Sequence, residues 1–297
     1  MLSIVRLVTE EREKEYMPEL PEVETIRKGL EKYLIGKRAL SIEIRYKKLF
    51  TGDPAALYEH TVESVIRFGK GLVINFDQGV SLAVHVKMTG QFIYREEATL
   101  QGFHPTLPTT ADLPNSWTHV IFTFTDGSVL FYNDIRKFGW MKVVATESVK
   151  ELSFFKALGP EPFVGLDYEH FVNITQHSLS PVKSLLINQQ KISGVGNIYA
   201  NEALYLAKIN PSRQARSLTE VERKVLYEAL LEVLRRGLAA GGATEANFVN
   251  VDGLPGGYQH QFLVYRKHGT TCSICGTLIE RIVLAGRGTF WCPACQV

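Results

Sequence analysis

The sequence predicts a multidomain α+β protein, and three observations carry that expectation. Strand-like patterns fill the first half, helical periodicity takes over after a Pro/Gly-rich stretch near residue 160, and all four cysteines fall in the last 26 residues. A chain of 297 residues can also hold two cores of ordinary size.

Taken in order, residues 18–34 (PELPEVETIRKGLEKYL) predict a helix. Pro21 suits its first turn, Glu22 and Glu24 lie at the positive end of its dipole, and Val23, Ile26, Leu30 and Leu34 make one apolar stripe. Strands are expected over Ser41–Tyr46, Val62–Phe68, Leu72–Phe76 and Ser81–Val86, which are β-branched or alternate in polarity. His119–Phe124 and Ser128–Tyr132 flank Asp126-Gly127, a strong hairpin signal. Between these, Glu96–Ser116 holds three prolines and reads as a surface excursion. Leu158–Gly165 (LGPEPFVG) reads as a linker, and helical patterns follow over Tyr168–Gln176, Pro181–Gln190, Asn197–Ala207 and Thr219–Ala240. Thr219 and Glu222 make a capping box for the last of these. From Phe262 onward, two short hairpin-like stretches carry the cysteines. The expected division is an N-terminal β domain over 18–150, a linker over 151–165, a helical domain over 166–260 and a metal module over 261–297.

Bulk properties exclude little but point one way. Hydrophobic content of 45% and charge of 22% are those of a globular protein, and no apolar run approaches the roughly 20 residues that span a bilayer. Net charge is only +2, yet Lys183–Val297 carries 13 Lys/Arg against 8 Asp/Glu. That bias suits phosphate contact, though an ordinary solvated face has a similar composition. The start of the chain lacks the pattern of a secretory signal, so a reducing cytosol is expected, where clustered cysteines favour metal over disulfide.

The cysteines give the sharpest local signal. Cys272-x2-Cys275, sixteen residues, then Cys292-x2-Cys295 can place four thiolates around one tetrahedral Zn²⁺. Four protein ligands leave no open position, so the metal is expected to be structural. Between the pairs, Arg287 in Gly286-Arg287-Gly288-Thr289 reads as the tip of a turn. It suits a bidentate grip on phosphate and suits a solvated turn equally well.

A resemblance then joins these pieces. Pro18–Thr25 (PELPEVET), Lys70 in RFGKGLVINF, His85 and Met88 in HVKMTG, and Asp134–Gly139 (DIRKFG) occur in order. Lys183 in SPVKSLL, GVGNIYANEAL at 194–204 and the terminal cysteine pairs complete the series. From Pro18 to its end the chain resembles the formamidopyrimidine-DNA glycosylases. The resemblance implies an N-terminal β-sandwich with a flanking helix, a helix–two-turns–helix domain and a C-terminal zinc finger. It implies a monomeric base-excision repair enzyme that acts on damaged double-stranded DNA, removes oxidised purines and cleaves the strand through an N-terminal proline amine.

What the resemblance assigns follows residue by residue. Pro18 is the nucleophile, Glu19 the general acid–base, and Glu22 a second carboxylate that orients the site. Lys70 contacts the lesion phosphate and donates a proton in β-elimination, and Arg287 grips phosphate and assists δ-elimination. Met88, Arg136 and Phe138 fill the void left when the nucleotide is flipped out: Phe138 wedges the step, Met88 fills the gap and Arg136 bonds the orphaned cytosine. His85, Lys183 and Asn197 belong to the DNA contact, Asn197 at a helix start after Gly194-Val195-Gly196. Residues 243–258 correspond to the loop that closes over the flipped base. Taken one at a time, the glutamates would read as helix-terminal electrostatics and Met88 and Phe138 as core.

The chemistry suits these residue types. A free α-amino group titrates near 7.7–8.0 against about 10.4 for lysine, so a useful fraction is nucleophilic at neutral pH. Three departures stand out. Sixteen residues precede Met17, and an acylated Pro18 nitrogen would be a non-nucleophilic tertiary amide, so residues 1–17 are expected to be absent from the mature enzyme. Trp117 stands where the family often has histidine, and Gln176–Leu179 where it often has basic residues. Two rival readings remain at this stage: an endonuclease VIII-like relative, which typically begins PEGPE, and a non-catalytic binder of damaged DNA.

Overall fold

The computed structural model describes residues 17–96, 108–245 and 247–297. The sixteen N-terminal residues and most of the expected 96–116 excursion lie outside them. The chain divides into two compact units, one of Tyr16–Lys156 with Ala240–Gly257, the other of Ala157–Ala239 with Tyr258–Val297.

The first unit opens with helix α1 (Leu20–Leu34). Leu20, Val23, Ile26, Leu30 and Leu34 are each at most 1% exposed, so the predicted stripe is the buried face. Each such side chain contributes about 1.5–3 kcal/mol through removal from water. Among the described residues nine strands follow: β1 (Ala39–Ile44), β2 (Phe50–Thr51), β3 (Val62–Phe68), β4 (Gly71–Phe76), β5 (Val80–His85), β6 (Gly90–Arg95), β7 (Thr118–Phe124), β8 (Val129–Asp134) and β9 (Trp140–Ala145). They form a four-stranded sheet ordered β1-β7-β8-β6 and a five-stranded sheet ordered β2-β9-β5-β4-β3, with α1 packed on β3 and β4. All ladders are antiparallel except the short β2–β9 pair. A short helix, α2 (Ser153–Lys156), ends the continuous part of the unit. These two sheets with their flanking helix make the expected N-terminal β fold.

Besides the two-residue β2, strands β6 and β9 have no counterpart in the sequence reading. Every residue of β6 is buried, so its sequence GQFIYR shows no polar alternation to read. The reason lies in residues 240–257. The sequence reading places them in the helical domain, and they pack instead on the β unit. The Tyr94 N–H of β6 donates to the Val251 carbonyl at 2.9 Å, Gln91 bonds the Asn247 carbonyl, and Val249 joins Ile93, Ile121 and Phe131 in one apolar cluster. The segment therefore satisfies an otherwise open sheet edge and covers its face. Tyr33 of α1 stacks on Tyr94 at 4.4 Å and donates to Asp252 at 2.5 Å, which fixes the same segment from the helix side.

The second unit contains α3 (Tyr168–Gln176), α4 (Val182–Leu186), α5 (Asn197–Leu206), α6 (Glu220–Ala239) and the hairpin β10 (Glu280–Leu284)–β11 (Arg287–Trp291). Helix α6 packs on α3 and α5, and α5 also packs on β11. The Thr219/Glu222 capping box forms as expected, with N–H to side-chain oxygen distances of 2.7 and 3.2 Å. Helix α4 is shorter than the predicted 181–190. Past Ile187, whose N–H still bonds the Lys183 carbonyl at 3.2 Å, the backbone turns away from the helix and the Gln189 amide caps the Ile187 and Val195 carbonyls at 2.9 and 2.7 Å.

Candidate active site

The head of α1 is built around two buried carboxylates. Glu19 is the N-cap residue and Glu22 the third helical residue; they are 3% and 0% exposed, and Pro18 beside them is buried. Glutamate is a poor N-cap compared with Ser, Thr, Asp or Asn, so local helix stability does not explain its presence. A reciprocal capping box nevertheless forms, in which the Glu19 N–H donates to Glu22 Oε2 at 2.8 Å. The other oxygen of Glu22 accepts the Ala243 N–H at 2.7 Å. Glu22 thus fixes the backbone beside Pro18 and the start of the 240–257 segment at once. Gly242, at φ +81°, fits this junction because a Cβ there would stand 2.9 Å from Glu22 Cγ.

Lys70, 5% exposed, sits in the turn between β3 and β4. Helix α1 holds that turn through Glu24: its Oε2 accepts from Arg67 Nε at 2.8 Å, and Arg67 Nη1 donates to the Gly69 carbonyl at 2.9 Å. Sequence reading assigned Glu24 only to the helix dipole and missed Arg67. The spacing of a glutamate two residues after Glu22 gave no hint of a partner 43 positions away.

Met88, Arg136 and Phe138 come together. Arg136 Nη1 lies 2.8 Å from Met88 Sδ, and its guanidinium carbon lies 4.7 Å from the centre of the Phe138 ring. Phe138 is 54% exposed, which a side chain serving only the core would not be. Asp134, fully buried, shapes the loop that presents them. Its carboxylate bonds Thr89 and accepts the N–H groups of Arg136 at 3.2 Å and Gly139 at 2.8 Å. Thr89 Oγ1 also accepts the Arg136 N–H at 3.0 Å, so the two loops are tied together. Asp134 and Thr89 are positioning residues that the sequence reading passed over, although both stand inside the motifs it quoted.

His85 is 3% exposed, and burial, followed by the charges of Lys87 and Lys70, lowers its pKa to about 3. It is neutral at physiological pH, and its Nδ1 accepts the Lys87 N–H at 2.9 Å, bracing the turn that carries Met88.

In the second unit, Lys183 and Asn197 meet at β11. Lys183, 0% exposed, donates to the Gly288 carbonyl at 3.0 Å and to Thr289 Oγ1 at 2.6 Å; Asn197 Nδ2 donates to the same Gly288 carbonyl at 3.1 Å. Arg287, half-buried, is the first residue of this strand. Glu202, also 0% exposed, accepts the N–H groups of Leu263, Val264 and Tyr265 at 2.7–2.9 Å and roots the segment entering the cysteine module.

The four cysteine sulfurs lie within 4.8 Å of one another, with Cys272–Cys295 at 3.8 Å and Cys275–Cys292 at 3.4 Å. Thiolates about 2.3 Å from one tetrahedral Zn²⁺ stand roughly 3.8 Å apart, so this donor set fits one structural zinc. The Tyr205 hydroxyl of α5 approaches Cys272 Sγ at 3.1 Å, and the Ile274 N–H donates to the same sulfur at 3.4 Å. These are the outer hydrogen bonds that metal-binding thiolates attract. No helix among the described residues is long and apolar enough to cross a membrane.

Comparison with known proteins agrees with this arrangement. Residues 17–141 match the formamidopyrimidine-DNA glycosylase N-terminal domain, 158–248 its H2TH domain, and 269–297 the zinc finger found in FPG and IleRS. A formamidopyrimidine-DNA glycosylase of Ligilactobacillus salivarius is 36% identical over 289 residues, covering 95% of this chain and 99% of the relative. The Lactococcus lactis Fpg (MutM) in complex with DNA containing N7-benzyl-Fapy-dG superposes with a TM-score of 0.82 at 33% identity, over 94% of this chain and 99% of that one. MutM in complex with DNA containing carbocyclic 8-oxo-G gives 0.81 at 34% identity, with 94% and 99% covered. With all three domains matched in order and identity above one third across nearly the whole chain, this protein belongs to the formamidopyrimidine-DNA glycosylase family.

Proposed function

We propose that this chain is a base-excision repair glycosylase that removes oxidised purines, 8-oxoguanine and formamidopyrimidines, from duplex DNA and then cleaves the strand at the abasic site. The observation that carries the reading is the head of α1, where Pro18 lies beside two buried carboxylates joined by one capping box. Such burial of charge is costly and persists where chemistry needs it.

In the proposed reaction the mature chain begins at Pro18, after initiation at Met17 and removal of that methionine. The lone pair of the Pro18 nitrogen attacks C1′ of the flipped nucleotide, the C1′–base bond breaks, and the base leaves with the proton that the Pro18 nitrogen gives up. Glu19 protonates the sugar ring oxygen as the ring opens, leaving an iminium between Pro18 and C1′. The iminium acidifies the C2′ hydrogen; loss of that proton expels the 3′ phosphate, and a second elimination expels the 5′ phosphate. Lys70 serves the first elimination, and Arg287 the phosphate released in the second. Glu22 orients the amine through the Glu19 backbone. Met88, Arg136 and Phe138 occupy the vacated stack, which their clustering supports. Asn197 and Lys183 serve the DNA contact from the second unit, and His85 serves it indirectly through the Met88 turn. The zinc is structural and takes no part in the chemistry. The enzyme acts as a monomer in the cytosol of a bacterium, where its DNA substrate would place it at the nucleoid; that its relatives are bacterial supports the source.

Borohydride trapping tests the reading. Duplex carrying 8-oxoguanine opposite cytosine should become covalently linked to the enzyme, with weaker linkage for Pro18→Gly and none after N-terminal acetylation. A fully active enzyme whose Pro18 nitrogen is still acylated by Met17, as read by intact mass, would overturn it. Preferential cleavage of thymine glycol over 8-oxoguanine would move the assignment to the pyrimidine-directed relatives.

A further inference from the structure

Lys183 belongs to the DNA contact by resemblance, but its position favours a different part in it. The ammonium is 0% exposed, and two of its bonds go to β11: the Gly288 carbonyl at 3.0 Å and Thr289 Oγ1 at 2.6 Å. Thr289, also 0% exposed, donates in turn to the Arg287 carbonyl at 3.2 Å. Asn197 Nδ2 reaches the Gly288 carbonyl at 3.1 Å, and Asn201 Oδ1 accepts the Phe290 N–H at 2.8 Å. Residues 287–290 are therefore held along their backbone by side chains of α4 and α5. At its start the strand is fixed by the Ala285-Gly286 turn, with φ of +51° and +69°, which pairs Leu284 with Arg287.

We propose that Lys183 is a positioning residue for Arg287, setting the strand from which the guanidinium reaches phosphate, and is not itself a phosphate ligand; this rests on the DNA-repair reading above. A phosphate contact is made at a surface the duplex can touch, and a fully buried ammonium offers none. Burying an ammonium is expensive unless its donors are well placed, and here they are placed on the backbone of the one strand that begins with Arg287. The relay Lys183–Thr289–Arg287 converts that buried charge into orientation. A guanidinium projecting from a fixed backbone loses less freedom on binding than one on a mobile turn.

The test measures affinity for duplex carrying a tetrahydrofuran abasic analogue across a range of salt. Each phosphate that the protein no longer neutralises lowers the slope of log affinity against log salt by about 1. Arg287→Gln should lower it by about 1, with roughly tenfold weaker binding and loss of the δ-elimination product relative to the β product. Lys183→Met should do the same, and the double variant should lose about 1 and not about 2, because both changes remove the same phosphate interaction. Thr289→Val breaks only the relay and keeps the side-chain volume. It should shift the product ratio in the same direction, and should have no further effect in the Arg287→Gln background, whether or not Lys183→Met folds. Bound zinc is measured in each variant. Additive slopes, or a Thr289→Val effect that persists without Arg287, would overturn the proposal while leaving the enzyme's function intact. Wild-type protein that neither binds this duplex nor crosslinks under borohydride would instead sink the functional reading beneath it.

Discussion

The head of α1 and the cysteine module solve the same problem, holding polar groups at fixed positions, by opposite means. Glu19 and Glu22 are buried at the front of a helix whose apolar face carries five residues at most 1% exposed. Their positions come from packing and from hydrogen bonds to backbone. The β10–β11 hairpin has no comparable core: β10 shows no buried residue, and Val283 is 65% exposed. Its order comes from the four-cysteine cluster and from α4 and α5, which bond β11. Buried carboxylates are held by a large core beneath them; a hairpin with little core of its own is held by its cysteine cluster and by neighbouring helices.

Zinc removal is the strongest way to press this comparison. Structural zinc in small modules contributes about 10–16 kcal/mol, so chelation or Cys292→Ser should disorder the hairpin and weaken DNA binding by roughly 100-fold or more. Near-ultraviolet circular dichroism and amide exchange should find the β unit unchanged. A hairpin that kept its exchange protection without metal would break the contrast.

Glu22 gives the next largest effect. Glu22→Ala removes the acceptor shared by the buried N–H groups of Glu19 and Ala243, costing about 2–4 kcal/mol in urea unfolding. Glu22→Gln keeps an oxygen for one of them and should cost about half as much. Equal losses for both variants would mean that the charge, and not the geometry, is what the site requires.

A smaller effect belongs to the second unit. The paired hydrogen bonds from Arg213, at 2.5 and 3.0 Å, hold the Glu222 carboxyl at a pKa of about 2, well below the ordinary range, although burial opposes this. A depressed folded-state value means the stabilisation is complete above the unfolded glutamate pKa and is lost as pH falls toward 2. For a partly exposed pair it is worth about 1 kcal/mol. Arg213→Met should therefore lower the unfolding free energy by that amount at pH 7, and the difference from wild type should shrink between pH 4.5 and pH 2. A constant difference across that window would assign the loss to packing.

Phe138→Ala should move stability least, by under about 0.5 kcal/mol, because the ring is 54% exposed. Its effect should appear in single-turnover excision opposite cytosine, about tenfold slower, with zinc content unchanged. A large stability loss would return Phe138 to the core.

Much of this was legible early because it depends on local rules. The α1 stripe, the Asp126-Gly127 hairpin, the Thr219–Glu222 cap and the cysteine spacing each follow from a period or a fixed offset, and each is found where expected. The motif order also carried the family and its three domains. What escaped depends on partners distant in sequence. Strand β6 could not be read because both faces are covered, one of them by a segment more than 150 positions away. The Arg67–Glu24 clamp, the Thr89–Asp134 bond and the burial of His85 have the same origin.

Alone, then, the sequence determined which chemical groups exist, where the long helices and the hairpin turn form, and which metal the thiolates select. Only tertiary structure decided that residues 240–257 join the β unit, that Met88, Arg136 and Phe138 meet, and that Lys183 is buried against β11. The physical reason is range. Periodicity and capping act over a few residues, whereas burial and electrostatic environment are set by whatever the folded chain brings alongside.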